Sequence, residues 1–200
     1  MIYIVMGTYS DWVEEDYLEG FRYLNEAFKI SEELKDSISL WYASWFLGMN
    51  QSMNCEFEKG FEFFKKSLDL GTSANGLIPM AMAKIGIAIF NYAFHGKNDL
   101  AYKISKEAVD MVQGSGDIYI KGIASSCHGM ACYFKGLFEE AENTLLQALS
   151  FCEKASQLGW WTWASGSLGH VYSDMGEYQK AQVYYEKGIS TLESTGIYPF

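Results

Sequence analysis

The chain has 200 residues, 49% of them apolar and 16% aromatic, enough to bury a continuous core, so disorder is excluded as its native condition. Its formal charge of −10, from 25 acidic against 15 basic residues, repels a phosphate backbone and argues against nucleic-acid binding. No run approaches the roughly 18 unbroken apolar residues of a membrane span, and the start Met1-Ile2-Tyr3-Ile4-Val5-Met6 lacks a basic region and a small-residue cleavage site, so a cytoplasmic chain is expected.

In chain order, hydrophobic periodicity predicts helices over 1–10, 16–33, 36–51, 56–70, 78–95, 98–113, 117–134, 138–155, 157–175 and 178–194. Pro79 falls at the start of the fifth, in the turn that tolerates it. A small residue then recurs with a period of 40: Gly20, Gly60, Ala101, Ala141 and Ala181, with one interval, Gly60 to Ala101, of 41. Seven residues after each marker stand Ala27, Ser67, Ala108, Ala148 and Gly188, on the same helix face two turns on. Twelve before it, Gly48, Gly129 and Gly169 are also small, as close helix crossings require. Four after it, Leu24, Phe64, Leu145 and Tyr185 are large, so small and large residues are expected to interlock. The third unit departs, with Asn98 for the usual aromatic and Ser105 for the large filler. Gly96, Gly136 and Gly176 sit where a helix ends in a positive φ.

This pattern resembles the tetratricopeptide repeat. Leu168-Gly169, Tyr172, Gly176, Tyr178, Ala181, Tyr185 and Gly188 follow its signature. The repeat differs from the family in its period of 40 rather than 34 and in having Glu32, Thr72, Gln113, Glu153 and Glu193 where a proline is usual. The variant resembles the sensory or autoregulatory helical arrays of bacterial signalling proteins and, more distantly, animal scaffolds that grip short helical motifs. The resemblance implies an all-α, right-handed superhelical solenoid of five antiparallel helix hairpins. It is read as a single domain over 1–200 with units of about 1–34, 35–75, 76–115, 116–155 and 156–200. The start within the pattern and the end at Tyr198-Pro199-Phe200 without a polar capping helix suggest a piece of a longer protein.

The family frame also implies a concave wall built from the first helix of each hairpin. Its inward positions are Tyr42, Trp45, Phe46, Met49 and Met53 in the second unit, Phe90 and Phe94 in the third, Met130, Tyr133 and Phe134 in the fourth, and Trp163 and His170 with Gly166 and Asp174 in the fifth. No inward position is Lys or Arg, which disfavours capture of a terminal carboxylate and favours an apolar or amphipathic segment of a protein or peptide partner. The alternative is self-association of the wall into a homodimer.

A catalytic or metal constellation is not evident. His95, His128 and His170 have no orienting spacing to acids or cysteines, so His128 and His170 are read as packed or groove-lining. Cys127 and Cys132 are five apart, on different faces of a helix, and with Cys55 and Cys152 they form no metal or disulfide pattern. Gly114-Ser115-Gly116-Asp117 reads as a turn rather than a phosphate loop, because no strand precedes it. A non-enzymatic scaffold without cofactor or metal is expected.

Overall fold

The computed structural model describes residues 1–195; Tyr198, Pro199 and Phe200 lie outside that range. Among the described residues the fold is all-α. The helices are α1 (Ile2–Trp12), α2 (Tyr17–Glu33), α3 (Ser37–Met53), α4 (Phe57–Ser73), α5 (Leu77–Gly86, continued by a π-helical segment, Ile87–Ala93), α6 (Asn98–Gln113), α7 (Ile118–Phe134), α8 (Phe138–Lys154), α9 (Leu158–Asp174) and α10 (Tyr178–Thr195).

Local chemistry sets the helix ends. The carboxylates of Asp16, Asp36 and Asp117 accept backbone N–H bonds in the first turns of α2, α3 and α7, satisfying donors that have no partner within the helix. Asp117 thus caps a helix, as the turn reading of 114–117 anticipates. Gly96, Gly136 and Gly176 take φ of +75°, +81° and +78° at the ends of first helices, a conformation that costs a residue with a Cβ far more. Glu15, Lys35, Cys55, Asn75 and Ser156 adopt the same left-handed region without being glycine.

Two compact units divide the chain between Lys97 and Asn98. In the first, each helix from α1 to α5 packs on the next, and the first helices of successive hairpins also touch, α1 on α3 and α3 on α5. Ile4, Leu24, Ala27, Ala43 and Leu47 form a core there, braced by Phe21, Phe28, Phe46 and Phe63. In the second unit α6 packs on α7, α7 on α8 and α9, and α9 on α10. Its core joins Leu145, Ala148, Leu168, Val171 and Tyr172 around the markers Ala141 and Ala181.

The interlocking of small and large residues is explicit. A Cβ placed on Gly48 would stand 2.7 Å from Phe64, on Gly129 2.5 Å from Leu145, and on Gly169 2.4 Å from Tyr185. Four of the five markers' fillers work this way, with Leu24 meeting Gly7. The exception is Ser105, which is fully buried, its hydroxyl 2.9 Å from Nδ1 of the buried His128. A polar pair across α6 and α7 replaces the apolar knob.

The fifth helix departs from the unbroken α period expected of it. Its segment Ile87–Ala93 winds as a π-helix, the usual way an α-helix absorbs one inserted residue. This is the interval in which the marker spacing is 41 instead of 40. Register is already restored within the segment: Asn91 Nδ2 donates to the Phe57 carbonyl at 2.6 Å, as Asn50 Nδ2, the equivalent residue one repeat earlier, donates to the Tyr17 carbonyl at 2.9 Å.

Candidate functional site

The residues expected to line a partner-binding wall separate into two sets by burial. In the first unit, Tyr42 and Phe94 are 38% and 43% exposed, whereas Trp45, Phe90 and Met49 are 5%, 4% and 0% exposed. Phe46 and Met53 are half-buried. Trp45 packs edge-on against Phe46, Phe64 and Phe90, and its indole N–H donates to the Met82 carbonyl at 2.8 Å. Trp45 and Phe90 therefore hold α3 against α5, and they and the fully enclosed Met49 are core, not surface offered to a partner. The expectation fails at these three positions because the aromatic side chains span the gap between adjacent first helices.

In the second unit the corresponding residues form a partly exposed patch on α7 and α9. Met130, Tyr133 and Phe134 come from α7, and Trp163, His170 and Asp174 from α9. Trp163 Nε1 donates to Met130 Sδ at 3.2 Å, and Trp160 stacks on Trp163 with ring centroids 5.0 Å apart. At the other end Tyr133 stacks on His170, 6.1 Å between centroids, and its hydroxyl donates to Asp174 Oδ2 at 2.9 Å. Tyr185 of α10 places its hydroxyl 2.8 Å from His170 Nδ1. Partial burial and the neighbouring Asp174 carboxylate both push the Tyr133 phenol up, so it stays a neutral hydrogen-bond donor near neutrality.

Between the tryptophan end and the tyrosine–histidine end lies Gly166. It occupies the interior of α9, where glycine costs about 0.5–1 kcal/mol relative to alanine, and a Cβ added there would meet nothing within 4 Å. Neither a helix crossing nor a turn accounts for this glycine. Its effect is a stretch of bare backbone flanked by aromatic side chains on one helix face.

Residues 164–191, most of the fifth hairpin, match the family model described as tetratricopeptide repeat. This is a tetratricopeptide-type repeat fold. No curated protein matches the chain in sequence. Among solved structures, the tetratricopeptide-type fold here is similar to a Rap protein complexed with competence and sporulation factor, at 19% identity and a TM-score of 0.79, covering 96% of this chain and 53% of that one. It is also similar to aspartyl phosphate phosphatase F from Bacillus subtilis, at 16% identity and a TM-score of 0.74, covering 97% and 50%. A third is a kinesin light chain-like repeat protein from Podosopora anserina, at 15% identity and a TM-score of 0.63, covering 94% and 91%. The chain thus spans about half the length of the Rap protein and of the phosphatase. No described helix is long and apolar enough to cross a membrane.

One grouping escaped the sequence reading. His128, Cys132 and Glu140 bring one ligand-type atom each to a common point. The sequence carries its signal in a histidine and a cysteine four apart on one helix face, which the five-residue spacing of Cys127 and Cys132 does not reveal.

Proposed function

We propose that this chain is a protein-interaction module that seats an apolar or amphipathic segment of a partner on the α7–α9 patch, with Trp163, Met130, Phe134 and Tyr133 as contacts. The observation that carries this reading is Gly166. A helix-interior glycine facing open space beside aromatic side chains allows another backbone to approach α9 closely, and nothing in the packing of the unit otherwise requires it. The methionine and aromatic character of the patch suits adaptable apolar contact. The Rap structure solved with competence and sporulation factor supports the reading by showing a similar fold in a complex. The role assigned is a scaffold's, most simply a regulatory one.

Gly166→Leu tests it, because the change separates folding from binding. Leucine is a strong helix former and its Cβ meets nothing within 4 Å at this position, so melts should show equal or higher stability, by up to about 1 kcal/mol. Peptides selected against the parent from a displayed library of amphipathic helices should bind the variant at least tenfold more weakly, a loss of about 1.4 kcal/mol. If those peptides bind parent and variant equally, the patch is not the seat of the partner.

A further inference from the structure

His128 and Cys132 stand one turn apart on α7, so their side chains share a face, and both are buried. Glu140, in the first turn of α8, closes the group from the neighbouring helix. Its Oε1 lies 3.7 Å from His128 Nε2, and Cys132 Sγ lies 3.8 Å from the same nitrogen. One ligand-type atom from each of the three residues lies within 4.8 Å of the others.

The surrounding hydrogen bonds set the direction of the imidazole. Ser105 Oγ donates to the Tyr102 carbonyl at 3.0 Å and stands 2.9 Å from His128 Nδ1. A hydroxyl has a single proton, so Ser105 accepts from Nδ1–H, and Nε2 of the neutral ring keeps its lone pair. That lone pair faces the Cys132 thiol, whose S–H donates to it at 3.8 Å, and a carboxylate that has only acceptors to offer. The Tyr102 hydroxyl donates to the same carboxylate, 3.0 Å from Oε1, and holds it in place. A histidine held through its second nitrogen, a thiol and an oriented carboxylate thus converge on one point with their electron pairs, which is how protein ligands to a metal are arranged and held.

We infer that His128 Nε2, Cys132 Sγ and the Glu140 carboxylate form a site for a single divalent transition-metal ion of the zinc class. The mixed nitrogen, sulfur and oxygen donors suit zinc and its neighbours and disfavour magnesium and calcium, which take oxygen ligands. Bonds of about 2.0–2.3 Å in a tetrahedron place ligand atoms roughly 3.3–3.6 Å apart. The two edges at His128, 3.7 and 3.8 Å, need to close by only a few tenths of an ångström. Three protein ligands leave a fourth position, on the side where the Glu140 side chain is 41% exposed, for water or a donor from another molecule. On binding, the Cys132 thiol passes its proton to solvent and coordinates as thiolate. The ion would tie α7 to α8 and, through Ser105 and Tyr102, to α6.

Cobalt(II) is the probe, added to the whole chain. One equivalent should bind and give a thiolate-to-cobalt charge-transfer band in the near ultraviolet with the intense visible bands of tetrahedral cobalt, and zinc(II) should displace it. Zinc should also raise the melting temperature of the unaltered protein. Cys132→Ala should abolish the charge-transfer band. Glu140→Gln, at a half-exposed position the fold tolerates, should weaken cobalt binding at least tenfold, and Cys55→Ser, which alters the exposed thiol, should change nothing. The inference is overturned if the unaltered protein shows no charge-transfer band, or if the band vanishes in Cys55→Ser. Should Cys132→Ala fail to fold, Glu140→Gln decides alone: cobalt affinity equal to that of the parent overturns the site.

Discussion

Asp11 shows how one carboxyl can make folding depend on pH. It is buried at the end of α1, accepts from Asn50 Nδ2 at 2.8 Å through Oδ1, and its Oδ2 has no partner. Burial pushes its pKa from 3.8 up to about 6, against the opposing Asn50 hydrogen bond and with a smaller contribution from the charge of Asp16. The folded chain therefore holds this proton at pH values where the unfolded chain has lost it. Below 3.8 both states are protonated and stability is unaffected by this group. Stability then falls as pH rises to about 6, and above that the loss is complete, about 3 kcal/mol at about 1.4 kcal/mol per pKa unit. Urea melts across this window should show the fall in the parent and its absence in Asp11→Asn; parallel curves for the two would refute the assignment. Burial also separates two phenylalanines that the sequence treats alike. Phe90→Ala should cost about 3–5 kcal/mol as an emptied core site, and Phe94→Ala, at an exposed position, less than about 1 kcal/mol. Denaturant midpoints giving similar losses for both would show that Phe90 is not the core member its contacts make it.

At the scale of the helix, the π-helical segment of α5 is a local answer to a one-residue surplus. Removing Ala88 from within it should let the α period run through, leaving Gly86 on Phe64 at one end and Asn91 on the Phe57 carbonyl at the other. Removing Ala124 from α7, which has no bulge to absorb the change, rotates everything beyond it by about 100° and should prevent folding. Circular dichroism and thermal melts compare the two; equal damage would mean the bulge is not a removable insertion. This element also shows where the sequence was legible. Boundaries came within about three residues because caps and turn residues are local chemistry, and the crossings were readable because Gly48, Gly129 and Gly169 recur in step with Phe64, Leu145 and Tyr185. The 41-residue interval was equally visible, yet its consequence was not, since a spacing does not say whether a loop or a helix takes the extra residue. The buried set Trp45, Met49 and Phe90 was misplaced for a related reason. Periodicity marks which face of a first helix turns inward, but not whether the next helix has already covered it. His128 was missed as a partner of Ser105 because filling a missing knob from the opposite helix is a tertiary event.

For the molecule as a whole, charge and contact chemistry point in different directions, and that separation can be measured. The chain carries −10 overall, while the α7–α9 patch offers aromatic rings, a methionine and one carboxylate, Asp174, already engaged by Tyr133. If apolar burial supplies the affinity, raising salt from about 0.05 to 0.5 M should leave peptide binding nearly unchanged, although the Debye length shrinks to a few ångströms. A binding constant that collapses over that range would move the interaction to the acidic surface. The turns bear on the molecule differently. Glu15, Lys35, Cys55 and Ser156 hold left-handed backbone conformations with ordinary side chains, at about 1 kcal/mol or more each, and none of them belongs to the α7–α9 patch or to the His128 cluster. The fold therefore has headroom. Selection or design can relax these corners one at a time toward glycine or asparagine, gaining tolerance for costly changes on the recognition surface without first redesigning the core.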